Sequence, residues 1–248
     1  MRTKRIRNGT GEDTSAYFRL FRRMNGGLIY HDPDAKGMDI ISEVHGLLET
    51  SEHYASEVEK NIADKKNDVR AMCFWNIRNR IMIAEEILNF YDRSWKGMGV
   101  SINDENLGNE MIERIITVTK NLFVDVVSTI EKTSKEAVTI YSLEKLKDIS
   151  MKNSNYLYMR NILSASQELG LVSKETMEEW DDVIVMRNLV AHNNSMSDRS
   201  KKFIISDITI SMRPGRMMKG PLNTFLVLSE RTITLFYEWL NAVDSLKN

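Results

Sequence analysis

This sequence predicts a mainly α-helical protein, an antiparallel helical bundle with an N-terminal helical extension and a small β-hairpin before its last helix. Three observations carry that reading. Apolar residues recur at the three- and four-residue spacing of a buried helix face through most of residues 38–192. Only 3 prolines and 12 glycines interrupt 248 residues, so long helices meet few breakers. After residue 198 the period shortens, and Phe203-Ile204-Ile205-Ser206-Asp207-Ile208-Thr209-Ile210 and Phe225-Leu226-Val227-Leu228 partly alternate, as strands do.

The elements follow in order. Residues 1–13 carry Arg2, Lys4, Arg5 and Arg7 with Gly9 and Gly11, a basic arm that can touch phosphates or simply lie in solvent. Thr14 or Ser15 caps a short helix to Met24, and residues 30–34 read as a turn cluster. A helix over about 38–63 completes the extension, residues 1–65. The bundle, residues 66–248, packs with it as one unit. It opens on a helix over 68–91, with Ile83, Ile87, Leu88 and Phe90 among its core residues, and a loop over 94–106 contains Trp95.

Helices over 107–133 and within 139–149 come next. Another opens at Asn153 or Ser154, passes through Tyr156 and Leu157, and closes at Gly170. Ser173 caps the following helix, which ends in Asn193-Asn194. A hairpin insertion near 203–228 pairs the two alternating runs across the basic loop Arg213 to Pro221. Ser229 then caps the final helix.

Composition narrows the class. Hydrophobic residues at 42% and charged residues at 28% are ordinary for a globular protein. A formal net charge of -1 gives no global attraction to nucleic acid, so any such contact comes from local patches. The single cysteine, Cys73, excludes an intramolecular disulfide framework and suits a reducing interior. No apolar run nears the ~20 residues of a membrane span, which points to a cytoplasmic protein without membrane contact. The sequence holds no glycine-rich phosphate loop, serine-nucleophile elbow or zinc-type Cys/His set.

The chemistry-bearing stretch is Met186-Arg187-Asn188-Leu189-Val190-Ala191-His192-Asn193. It sets a permanently charged fork, an amide and an imidazole within one and a half turns. In a regular helix Arg187 and His192 stand about 140° and about 7.5 Å apart, so a joint site needs the helix to end or bend near His192. Arg-Asn also occurs at Arg7-Asn8, Arg78-Asn79 and Arg160-Asn161, but only Arg187 is followed by a histidine five residues on. The plainer alternative is a guanidinium paired to an acidic residue and a histidine capping a helix C-terminus.

Arg-Asn-Leu-Val-Ala-His resembles the signature of the HEPN superfamily, helical bundles that include metal-independent endoribonucleases. The resemblance covers the hexamer and the helix before it, with the helices from about residue 68 as context. It implies RNA cleavage without cofactor or metal, at a composite site in a homodimer. There Arg187 would steady the phosphorane oxygens, since its planar fork matches phosphate. His192 would move protons, since an unperturbed imidazole titrates near 6.5. Asn188 would orient the histidine or hold a phosphate oxygen.

Arg213, Arg216 and Lys219, with Asn193, are the candidate contacts to RNA, and a toxin or defence setting with an antitoxin or regulatory partner is implied in the same way. A non-catalytic module binding nucleotide, RNA or protein, and a helical scaffold or regulatory subunit, remain the alternatives. Trp95 is the candidate base-stacking residue, whereas Trp75, Trp180 and Trp239 read as core or interface.

Overall fold

Seven α-helices and a small sheet emerge in a computed structural model, which describes residues 30–31, 39–63, 67–104, 107–140, 144–152, 156–192, 200–206, 208–216 and 218–247. The helices are α1 (Ile40–Asn61), α2 (Val69–Lys96), α3 (Asn109–Ile140), α4 (Glu144–Met151), α5 (Met159–Glu168), α6 (Lys174–His192) and α7 (Thr224–Asp244). The strands are β1 (Tyr30–His31), β2 (Lys201–Ile205), β3 (Ile208–Met212) and β4 (Lys219–Gly220). The predicted basic arm and first short helix, residues 1–24, lie outside the described residues.

α1 and α2 start where a side chain satisfies their free amides. Asp39 accepts from the Ser42 amide at 3.0 Å, and Asn103, in the loop after α2, bonds both Asp39 Oδ1 and the Ile40 amide. Asp68 caps α2 and pairs with Arg70 at 2.8 Å. Both side chains are buried, and Arg70 also donates to Ile62 O and reaches Asp244. This buried cation therefore fastens the α1–α2 connection to the end of α7.

α7 carries the most continuous apolar surface, and α1, α2 and α3 wrap it. Phe74 of α2 meets Phe236 with ring centroids 5.5 Å apart, Phe123 of α3 meets Phe225 at 5.8 Å, and Tyr54 of α1 stacks on Tyr237 at 4.2 Å. Trp239 is buried and donates to Ser166 Oγ at 3.0 Å, joining α7 to α5. α6 lies along α3 and α7, burying Met177, Trp180, Val183, Met186, Leu189 and Val190.

The sheet has strand order β1-β4-β3-β2. β2 and β3 pair antiparallel from Lys201↔Met212 to Ile205↔Ile208, β4 pairs antiparallel with β3, and β1 lies parallel to β4 at the edge. Gly220 is required where β4 meets α7, because a Cβ there would stand 2.5 Å from Thr224 Oγ1.

The fold class predicted from sequence holds, and several details differ. The hairpin turns inside the first alternating run: Ile205 faces Ile208 across a two-residue loop, with Ser206 at φ 54°. Phe225 to Leu228 belong to α7, and Ser229 is a buried residue within that helix, bonded to Phe225 O, instead of its cap. Tyr30 and His31 form a strand where a turn was expected.

α2 runs on to Lys96, which takes Trp95 out of the expected loop and buries it at 3% exposure against Tyr91. Conversely, Ile83 (58% exposed), Ile87 and Phe90 (60%) form an outward stripe, because a helix covered on two flanks still keeps a solvent face. α5 begins only at Met159, so Tyr156 and Leu157 precede it.

Candidate functional site: Arg187 at the α3–α6 seam

α6 is set up by local signals. Ser173 Oγ accepts from the Thr176 amide at 3.1 Å, and Glu175 stands in the positive first turn. The Glu175 carboxyl is held below its usual range by its own amide and the Ser173 hydroxyl. The buried stripe of α6 then leaves Arg187 beside Met186, half-buried on the flank that faces α3.

There the guanidinium makes two neutral contacts. Nη1 donates to Asn188 Oδ1 at 3.1 Å, and Nη2 donates to Ser128 Oγ of α3 at 3.3 Å. Nε is buried and has no hydrogen-bond partner among the described residues. No carboxylate among them pairs with Arg187.

The two other Arg-Asn pairs among the described residues behave differently. Arg78 Nε lies 2.6 Å from Glu52 Oε1, and Arg160 Nε lies 3.1 Å from Asp181 Oδ1. A guanidinium that is partly desolvated without a counter-ion keeps unused capacity for an anion, and its planar fork suits a phosphate.

His192 is the last residue of α6 and is exposed. The helix continues regularly through it, so the helical angle of about 140° separates it from Arg187 on the same chain. The structure thus joins Arg187, Asn188 and Ser128 by hydrogen bonds and leaves His192 outside that set. Asn193 lies outside the described residues.

Arg213 and Arg216 are exposed in the turn between β3 and β4, closed by Arg216 N donating to Arg213 O at 3.1 Å with Gly215 at φ 66°. Lys219 is exposed on β4. The turn follows Met212, which pairs with Lys201, and Lys201 forms an ion pair with Asp182. Asp182 precedes His192 by ten residues, about 15 Å of helix rise. Burial pushes the Asp182 carboxyl up, with Lys201 opposing the shift. No hydrogen bond or ion pair links Arg213 or Arg216 to Arg187, Asn188 or His192 among the described residues.

Two features escaped sequence reasoning. Ser128 is a mid-helix serine with no sequence mark. Tyr156 and Tyr158 fell inside an expected helix, although their spacing of two departs from its period; both are exposed, at 69% and 50%. No group of three or more His, Cys, Asp or Glu side chains able to hold a metal occurs among the described residues, and no helix there is long and apolar enough to cross a membrane. Set against known proteins, the chain matches no family model, no curated protein and no solved structure.

Proposed function

We propose that this protein is an endoribonuclease of the HEPN type, cleaving RNA by attack of a ribose 2′-hydroxyl on the adjacent phosphorus at a site shared by two copies of the chain. The observation that supports it most is the guanidinium of Arg187, half-buried at the α3–α6 seam with only neutral partners among the described residues, while the other Arg-Asn pairs there, at Arg78 and Arg160, are closed by carboxylates.

In this reading Arg187 holds the non-bridging oxygens as charge grows on the phosphorane. An imidazole accepts the 2′-hydroxyl proton, a second imidazole protonates the departing 5′-oxygen, and the products are a 2′,3′-cyclic phosphate and a 5′-hydroxyl. One chain offers one His192, rotated away from its own Arg187. The facing copy supplies the second proton-transfer group, which makes homodimerisation part of the function. Asn188, bonded to Arg187, steadies the guanidinium.

The test is cleavage of a mixed RNA pool in EDTA by the wild type beside Arg187→Ala and His192→Ala, with product ends assayed. Chelator-resistant cleavage ending in cyclic phosphate and lost in both variants is expected. Equal cleavage by all three proteins overturns the assignment. RNA binding without cleavage by the wild type shifts the reading to a non-catalytic RNA-binding module, which the divergence of Arg187 and His192 on one chain favours.

A further inference from the structure

The seam that holds Arg187 continues into an aromatic surface. α3 and α6 run antiparallel: Ser128 meets Arg187 at one level, and seven residues further along α3 Lys135 meets Tyr158, whose neighbour Arg160 pairs with Asp181, six residues before Arg187. Tyr158 therefore lies about 10 Å from the Ser128 level along α3, roughly three stacked nucleotides at about 3.4 Å each.

Around that point the rings of Tyr156 and Tyr158 lie 6.0 Å apart at 51°, both largely exposed, and Lys135 Nζ stands 5.9 Å from the Tyr158 ring centre. Lys132 (76% exposed) lies one turn before Lys135 on α3, and Arg160 (67%) follows Tyr158 by two residues. Lys132 pairs with Glu136 one turn on along α3, an exposed pair that holds weakly enough for the cation to turn to a phosphate, and Arg160 stays paired with Asp181. Tyr158 also stands at the N-cap of α5, without a side-chain cap bond.

We infer that Tyr156 and Tyr158 form a stacking platform for single-stranded RNA, taking bases of the strand whose phosphate Arg187 holds. The inference rests on the nuclease reading for the path of that strand. Exposed aromatic rings interleaved with cations fit unpaired bases, whose π-faces stack on them whatever the sequence, and they do not fit a duplex, whose bases are already stacked. The same rings offered to a protein partner are the competing occupant.

The experiment is fluorescence anisotropy of the full chain with a labelled 2′-O-methyl RNA 12-mer, which binds but presents no attacking hydroxyl, as a single strand and as a duplex. Wild type is compared with Tyr158→Phe, Tyr158→Ala and the Tyr156→Ala/Tyr158→Ala double variant, with circular dichroism as the fold check. Expected are preference for the single strand, retention in Tyr158→Phe and a roughly 5- to 100-fold loss in the double variant. Equal binding by wild type and double variant, preference for the duplex, or no binding by wild type overturns the platform. So does dissociation of a wild-type oligomer by the tyrosine changes with RNA affinity intact, which assigns the surface to protein.

Cleavage assayed alongside separates the two proposals. Wild-type cleavage with tyrosine-independent binding removes the platform and leaves the nuclease. Tyrosine-dependent binding without cleavage does the reverse.

Discussion

Ser128 accepts a hydrogen bond from Arg187 Nη2 at 3.3 Å while donating its own proton to Val124 O at 2.7 Å. α3 thus meets the guanidinium with a hydroxyl lone pair and no formal charge. That choice of partner keeps Arg187 available, since a carboxylate at the same distance would form the charge-assisted pair seen at Arg78 and Arg160.

A carboxylate installed at this position is expected to close the site. Ser128→Asp should lower kcat/KM for RNA at least tenfold, whereas Ser128→Ala, which removes one neutral hydrogen bond worth about 1 kcal/mol, should lower it less than the Asp change. Cleavage kinetics of both variants check the order, and a Ser128→Asp protein as active as wild type contradicts the role given to Arg187.

Acid should weaken one loop before the rest. Burial alone would push the Asp92 carboxyl up, but Lys96, the Ile102 amide and the Ser101 hydroxyl outweigh it and hold it below its usual range. A folded-state pKa below the unfolded one stabilises at pH above the unfolded value, near 3.9, and the stabilisation fades as pH falls through the folded value. Asp92→Asn should therefore cost about 1–2 kcal/mol at pH 7, and the gap to wild type should narrow below about pH 4. Urea melts from pH 7 to pH 3 read this directly, and a gap that stays constant or widens in acid is the contrary result.

The β2–β3 turn carries removable strain. Ser206 sits at φ 54° in a two-residue hairpin loop, a region where glycine costs least. Ser206→Gly should stabilise by about 0.5–1 kcal/mol, seen as a higher urea midpoint with an unchanged slope. A lower midpoint refutes the assignment of strain.

The helices were legible because their apolar spacing is a local property. The positions of Val44, Leu47, Ile77, Ile81, Phe123 and Val126, all buried, repeat at three or four residues, and the side chains Asp39, Asp68 and Ser173 at the α1, α2 and α6 N-termini announce helix starts within one turn. Boundaries were less legible. Nothing near Ser94 stops α2, and Trp95 stays helical because stacking on Tyr91 buries it. The run at Phe225 alternates like a strand yet lies in α7, where Phe123, Phe74 and Tyr54 pack against a helix buried along most of its length.

The sequence by itself determined the helical class, the order of the main helices and the Arg187-Asn188 pair with a histidine five residues on. Each depends on residues close together in the chain, where period, caps and spacing act. Only the tertiary structure decided that Arg187 meets Ser128 59 positions away and, among the described residues, no carboxylate, that Arg160 meets Asp181, and that Tyr158 lies against Lys135. Those meetings follow from the packing of α3, α5 and α6 against one another. Which charge finds a partner is decided by which faces the core turns together, and spacing along one chain segment does not carry that information.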